Sequence, residues 1–270
     1  MTAVSAFLVP GSPLHLLRPD NPPWRPIVAG FERAARALAM SRPDAVLLYS
    51  TQWIAVLDAL WQARPRLTGA HVDENWHDLG DMAFDIRVDT DLAEACVNAV
   101  KAAGISSKSV DYDQFPIDSG TIVATRLLDP DSRFPLVIAA NNLYHDAATT
   151  MRMAEIATAT ARVQNKKVAV VGVGGLSGTV FREPIAIAED RVAAEKDDSW
   201  NRRILRLLEK GETGRLDAEV DDYAREARVD MGFKHLAWIR GAIGGRFFGA
   251  RVHGYGPAHG AGAAVIEFRL

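Results

Sequence analysis

Residues 168–178 read VAVVGVGGLSG, a run of small and β-branched apolar residues that ends in glycines. Such a run without polar alternation is typical of a strand that is covered on both faces. Residues 45–49 and 136–140 have the same character, and residues 146–164 have the length and composition of a crossover helix between two of these strands. Buried strands joined through helices predict an α/β fold.

The same alternation extends from this stretch toward both ends of the chain. Residues 4–9 predict a first strand, and Asp89 or Asp91 is placed to cap a helix that Gly104 would close. Four helical faces are formed by Ile27, Val28, Phe31, Ala34, Ala35 and Leu38; by Leu92, Cys96, Ala99, Val100 and Ala103; by Trp200, Ile204, Leu207 and Leu208; and by Leu216, Val220, Tyr223, Ala224 and Ala227.

The C-terminal part predicts one more helix over 230–243 and two strands, 247–252 and 263–268, separated by a glycine-rich turn. No repeat or linker divides the chain. We therefore expect residues 1–270 to form a single α/β domain with a mixed central sheet flanked by helices.

Composition excludes several classes of protein. The 270 residues carry 31 Lys and Arg against 34 Asp and Glu, a net charge of -3, and no basic block interleaves with aromatic residues, so no nucleic-acid partner is expected. Cys96 is the only cysteine, which rules out an internal disulfide and a cysteine metal cage. Without a signal-like N-terminus or a run of about 18 apolar residues, the expectation is a soluble, cytoplasmic protein that does not contact a membrane.

The glycines at 172–178 invite comparison with a dinucleotide-binding turn. The match is incomplete, because Ser177 occupies the third glycine position and the strand comes late in the chain. A serine-hydrolase elbow is also disfavoured, since Thr179 replaces its last glycine. A tight turn at a strand end is the preferred interpretation.

A second group of chemically capable residues lies at 71–77. It contains His71, Asp73, Glu74 and His77, but it has no H-E-x-x-H pattern, so a surface loop is favoured over a metal site. The other histidines are scattered singly, at His15, His145, His235, His253 and His259.

Five segments, taken in order, carry a resemblance that covers nearly the whole chain. They are Val9-Pro-Gly-Ser-Pro-Leu14, Leu47-Leu-Tyr-Ser-Thr-Gln-Trp53, Asp118-Ser-Gly-Thr121, Gly174-Gly-Leu-Ser-Gly178 and Lys234-His-Leu-Ala-Trp-Ile-Arg-Gly-Ala242. In this order and spacing the chain resembles the class III extradiol ring-cleaving dioxygenases of the protocatechuate 4,5-dioxygenase catalytic-chain type.

The resemblance implies an iron site that this sequence lacks. Family members hold Fe(II) with two histidines and one carboxylate, which leaves positions open for substrate and O₂. The matching positions here are Gly11, Gln52 and Lys234, and the two acid/base histidines correspond to Ser119 and Gly178. All five are therefore expected to be vestigial, with no catalytic, cofactor-binding or metal-binding residue in this chain.

Within the family, the resemblance is strongest to the non-catalytic α subunits of enzymes that open the ring of 2-aminophenol. It implies a homologous catalytic β subunit that carries Fe(II), in an α2β2 heterotetramer. Two other interpretations stay open at this point: an independent enzyme that has reused the pocket around Lys234 as base or nucleophile, and nucleotide binding at 172–178.

Overall fold

The computed structural model describes residues 2–245 and 247–270, and its centre is a mixed sheet built on the apolar runs. The strands in chain order are β1 (Ala3–Val9), β2 (Ala45–Ala55), β3 (Ala59–Gln62), β4 (Arg66–His71), β5 (Met82–Arg87), β6 (Ser107–Val110), β7 (Leu136–Asn142), β8 (Val168–Val173), β9 (Ala250–Ala258) and β10 (Ala261–Phe268). Eight of them form one sheet in the order β6-β3-β7-β2-β8-β1-β10-β9, and β4 and β5 form a separate hairpin. β7, β2, β8 and β1 run parallel to one another, so their carboxyl ends meet at one edge.

Helices cover both faces of the sheet. They are α1 (Leu14–Leu17), α2 (Arg25–Ser41), α3 (Thr90–Ala102), α4 (Ser119–Leu128), α5 (Ala147–Val163), α6 (Glu195–Lys210), α7 (Thr213–Glu226) and α8 (Lys234–Ala242). One core contains the apolar faces of α3, α5, α6, α7 and α8, and the other contains those of α2, α4 and the β4–β5 hairpin. The expected α/β architecture with a mixed sheet is confirmed. In the part of the chain that the structure describes, no helix is long and apolar enough to cross a membrane.

Local signals in the sequence account for the boundaries of α3. Asp89 caps α3 by accepting a hydrogen bond from the Leu92 N–H at 3.1 Å, and Gly104 follows the helix with a φ of 85°. Cys96 is fully buried in α3, and burial raises the pKa of its thiol to about 12, as expected for an inert core residue.

Two predictions for the C-terminal part were wrong in detail. The helix predicted over 230–243 is broken, because Met231, Gly232 and Phe233 all have positive φ values and α8 begins only at Lys234. The closing strands differ from the predicted 247–252 and 263–268: β9 begins later and extends to Ala258, β10 begins earlier at Ala261, and the turn is made by two residues, 259 and 260.

Gly254 and Gly256 therefore lie inside β9 while Gly260 is in the turn, and helix packing explains the position of Gly254. A Cβ atom on Gly254 would fall inside van der Waals contact with the Pro26 carbonyl and 3.2 Å from the Ile27 Cα. On the facing helix, a Cβ on Gly30 would lie 3.1 Å from the Gly254 backbone nitrogen. The two glycines let α2 approach the sheet at backbone distance.

We expect Gly254→Ala to lower the free energy of unfolding by about 1–3 kcal/mol, because the new methyl group meets backbone atoms that cannot rotate away. Gly214→Ala is the matched control, since Gly214 lies in α7 with open space around it, and it should be neutral or stabilising by up to about 1 kcal/mol. Urea unfolding of both variants measures the difference, and equal stability of Gly254→Ala and wild type would contradict this account.

Candidate functional site

Three of the segments singled out in the sequence converge at the carboxyl ends of the parallel strands. A Cβ atom on Gly11 would lie 2.8 Å from the Gly120 Cα and 2.9 Å from the Gln52 Nε2. A Cβ on Gly120 would lie 2.9 Å from the Ser50 Oγ and 3.0 Å from the Gln52 Oε1. The loop after β1 and the start of α4 thus approach each other at backbone distance, and β2 reaches both with the Ser50 and Gln52 side chains.

The start of α4 is held at this edge by Asp118. Its carboxylate accepts hydrogen bonds from the Thr121 N–H at 2.9 Å and from the Ser50 hydroxyl at 2.5 Å, so it caps α4 and ties it to β2. The next residue, Ser119, is almost completely buried.

The Ser119 hydroxyl contacts two side chains of the β4–β5 hairpin. The His71 Nε2 lies 3.0 Å from the Ser119 Oγ, and the Ser119 hydroxyl donates to the Asp73 carboxylate at 2.9 Å. The interpretation of residues 71–77 as a plain surface loop was therefore incomplete, because two of the four residues bind a side chain of the predicted site. The contact brings an imidazole to Ser119 from a different part of the chain.

The loop between β4 and β5, residues 72–81, makes further contacts with other parts of the chain. The guanidinium of Arg18, just after α1, donates to the Leu79 carbonyl at 3.0 Å. The Trp76 ring lies edge-on to the His259 ring, with centroids 4.9 Å apart. The loop is thus attached both to α4 and to the β9–β10 turn.

Lys234 lies at the other side of the strand ends, where its ammonium group has three oxygen atoms as hydrogen-bond partners. Its Nζ donates to the Asn142 carbonyl at 2.8 Å, to the Asn141 side-chain carbonyl at 3.2 Å and, more weakly, to the Leu143 carbonyl at 3.4 Å. Burial lowers the pKa of Lys234, and the charge of Asp146 opposes that shift. The three donors of a lysine meet three oxygens, so the ammonium joins α8 to the end of β7.

The turn before Lys234 is tied to two further strands. The Asp230 carboxylate accepts hydrogen bonds from the Thr51 hydroxyl at 2.6 Å, at the end of β2, and from the Gly175 N–H at 3.0 Å, just after β8. Asn141 completes the link, since its side-chain amide donates to the Thr51 carbonyl at 3.3 Å. Through these bonds Lys234 is connected to the strand that carries Gln52.

The glycines at 172–178 allow other parts of the chain to pack directly against their backbone. The position of a Cβ on Gly172 is occupied by the His235 carbonyl, and a Cβ on Gly174 would lie 2.6 Å from the His235 Nδ1. For Gly178, the nearest atoms to a built Cβ all belong to Arg228, after α7.

The backbone of this glycine segment offers no cradle for phosphate. The N–H groups of residues 174–178 donate, in order, to the Val9 carbonyl, the Asp230 carboxylate, the Gly262 carbonyl, the Asn201 side chain and the Ala227 carbonyl. A phosphate-binding turn needs such N–H groups directed at the ligand. Nucleotide binding at 172–178 is therefore not supported.

His235 occupies the space that the glycines leave. Its ring is fully buried and lies edge-on to Phe233, with centroids 5.0 Å apart. Desolvation lowers the pKa of His235 to about 4, although the charge of Asp230 opposes the shift. The imidazole is neutral near pH 7 and belongs to the packing between α8 and β8.

The residues at the strand ends do not fit a ferrous ion. Gly11 has no donor atom and no room for one, Gln52 offers a neutral amide, and the Lys234 ammonium already faces three oxygens. Across residues 2–245 and 247–270, no group of three His, Cys, Asp or Glu side chains is arranged to hold a metal ion. What the arrangement offers is a hydrogen-bonded closure of the strand ends.

Comparison with known proteins identifies the family. The family model described as the catalytic LigB subunit of aromatic ring-opening dioxygenase matches residues 6–266. The chain belongs to the LigB family. The resemblance read from the five sequence segments is confirmed by this match.

Two curated relatives and one solved structure are similar to this chain. The chain is 50% identical over 271 residues to the 2-aminophenol 1,6-dioxygenase alpha subunit of Pseudomonas sp, covering 100% of both chains. It is 26% identical over 287 residues to the beta subunit of the same name, covering 99% of this chain and 94% of the relative. A crystal structure of an uncharacterized protein from Escherichia coli K12, 17% identical, superposes with a TM-score of 0.68 over 98% of this chain and 99% of the other, which shows the shared fold.

The structure brings four of the five predicted vestigial positions to linked parts of the strand-end edge. Gly11, Gln52 and Ser119 belong to one contact group, and Lys234 joins it through Asn141. Sequence reasoning missed Asp230, His71 and Asp73 as members of this edge. Nothing near residues 71–73 in the sequence points to Ser119, more than 45 residues away, so only tertiary structure could reveal that contact.

We expect Lys234→Met to lower the free energy of unfolding by about 1–3 kcal/mol, because it leaves buried carbonyl oxygens without a donor. Lys234→Glu should cost more, since a carboxylate would face the same oxygens. Lys196→Met is the control, because the exposed Lys196 pairs with the exposed Glu226, and its loss should change stability by at most about 1 kcal/mol. Denaturant unfolding gives the three values, and a Lys234→Met protein as stable as wild type would contradict the structural role.

Proposed function

We propose that this chain is the non-catalytic α subunit of a ring-cleaving dioxygenase that acts on 2-aminophenol. Its role is to support a homologous β subunit that carries the Fe(II) and performs the oxygen chemistry. The observation that carries the proposal is the 50% identity, end to end, with a relative named as an alpha subunit of such an enzyme. A similarity of 26% to the beta subunit fits two chains that share one fold.

The strand-end edge supports the assignment of the iron to the partner. Gly11 and Gly120 are in backbone contact where a metal-binding side chain would have to stand, and Lys234 brings a positive charge. A cation is repelled by such a site, and no step of a metal reaction can be assigned to these residues. The chain by itself is therefore proposed to be inactive.

An independent enzyme built around Lys234 is the competing proposal. A nucleophilic or basic lysine needs a free amine lone pair directed at a substrate. Lys234 instead donates to three oxygens of Asn141, Asn142 and Leu143. We therefore favour the subunit role, and an α2β2 stoichiometry and a cytoplasmic location stay predictions that accompany it.

We expect 2-aminophenol turnover to require both chains. The chain purified alone should hold substoichiometric iron and consume no O₂ with 2-aminophenol, whereas co-expression with the Pseudomonas β subunit should give a complex that contains iron and is active. Iron by mass spectrometry and O₂ uptake measure the two properties, with the Pseudomonas α and β pair as positive control. One iron per chain and turnover by the isolated chain would overturn the proposal.

We expect the iron site to resist simple restoration. In the combined variant Gly11→His, Gln52→His, Lys234→Glu and Gly178→His, the side chain at 11 meets the Gly120 backbone and the one at 178 meets the Arg228 carbonyl. Overpacking of this kind costs about 1–3 kcal/mol at each position. Lower thermal stability and no stoichiometric iron are the expected results.

Gln52→His alone is the control for that experiment. Its side chain is exposed, so this variant should fold and unfold like wild type. A combined variant that is as stable as wild type and binds one iron per chain would show that the former site has kept its shape.

A further inference from the structure

The end of β2 has one buried face and one exposed face. Trp53 and Ala55 are buried in the core beneath the sheet, and Gln52, Ile54 and Val56 alternate with them and face solvent. The register of β2 against β7 shifts between Ser50 and Ile54, so β2 is irregular at Gln52, and Ile54 resumes the pairing with β7. The exposed apolar side chains begin at Ile54, two residues after Gln52 of the candidate site.

The end of β7 adds a second exposed segment beside the first. The Leu143 N–H donates to the Ala55 carbonyl at 2.9 Å, and the Asn142 side-chain amide donates to the Asp58 carbonyl at 3.1 Å. These bonds hold Leu143 and Tyr144 against the loop that follows β2. Two separate parts of the sequence thus form one surface.

This surface, which we call the β2–β7 patch, consists of five large apolar side chains that are unusually open to solvent. Their exposed fractions are 49% for Ile54, 49% for Val56, 85% for Leu57, 44% for Leu143 and 80% for Tyr144. Their combined exposed area is on the order of 500 Å², which is near the upper limit for the largest apolar patch of a monomer. A stable interface covers about 800 Å² on each partner, so the patch has the size of its apolar centre.

The chemistry of the patch is that of a permanent protein interface. Residues 51–57 and 139–144 contain no charged side chain. Interface centres are depleted in charge and enriched in aromatic and aliphatic side chains. Charged groups lie only at its border, where Asp58 pairs with Lys108 and Asp146 is exposed.

We propose that the β2–β7 patch is the surface through which this chain binds the iron-bearing β subunit, an inference that rests on the proposed function. In open α/β sheets, ligands enter at the carboxyl ends of the strands. A catalytic chain must keep that edge open, but here Gly11, Gln52 and Lys234 leave no iron chemistry to protect. A partner that covers this edge therefore blocks no iron chemistry in this chain, and it buries five apolar side chains.

The test compares two double variants that carry the same charge. Leu57→Lys with Tyr144→Lys places two ammonium groups in the β2–β7 patch. Met40→Lys with Val163→Lys adds the same two charges at side chains that are 80% and 82% exposed on α2 and α5. Each variant and the Pseudomonas β subunit are purified separately. The affinity between the two chains is measured by titration at low and at high NaCl concentration. Thermal unfolding of each variant checks that it is folded.

We expect the patch variant to fold like wild type and to bind the β subunit at least about 10-fold more weakly, because charged groups would be buried at the interface centre. The control variant should stay within about 2-fold of wild type. Wild-type affinity should change little with salt, since the patch carries no charge.

The outcomes separate the two proposals. If wild-type chain does not bind the β subunit while the Pseudomonas α subunit does, the proposed function fails and the interface assignment fails with it. If wild type binds and the patch variant binds equally well, only the interface assignment is overturned. If sedimentation shows a homodimer of this chain that the patch variant abolishes, a second copy covers the patch and the β subunit is the wrong occupant.

Discussion

The contact between α8 and β8 is the constraint on which the strand-end edge depends. Gly172 and Gly174 have no side chains, and the His235 carbonyl and ring fill the space that side chains would need. The neutral, buried imidazole keeps the helix at that distance without adding a charge to the core. Lys234, which precedes this histidine, is thereby carried to the ends of β2 and β7.

The polar groups around this contact are engaged in holding elements together. Asp230 links the ends of β2 and β8, Asp118 links β2 to α4, and Lys234 links α8 to β7. Buried charged groups are tolerated because each has partners within hydrogen-bond distance. In this member of the LigB family, the three charged groups therefore connect secondary-structure elements.

Two kinds of surface meet at this edge. On one side, the hairpin loop binds Ser119 through His71 and Asp73 and closes the strand ends with polar contacts. On the other side, Ile54 and Leu57 leave the continuation of β2 apolar and open. A polar closure that is internally satisfied needs no partner, whereas an exposed apolar surface gains free energy when another surface covers it.

The sequence by itself determined the α/β class, the order of the main strands and helices, the start of α3 to within Asp89 or Asp91, and the membership of a dioxygenase family. These features depend on apolar periodicity and on short motifs, which are local along the chain. It also determined that Gly11, Gln52 and Lys234 cannot provide two imidazoles and a carboxylate, because residue type alone decides which donor atoms exist. Tertiary structure decided that Gly172 and Gly174 accommodate a histidine, that β9 continues through Gly254, and that His71 reaches Ser119. Those contacts join residues far apart in sequence, and their partners are selected by packing and by the need to satisfy buried polar groups, which no local pattern records.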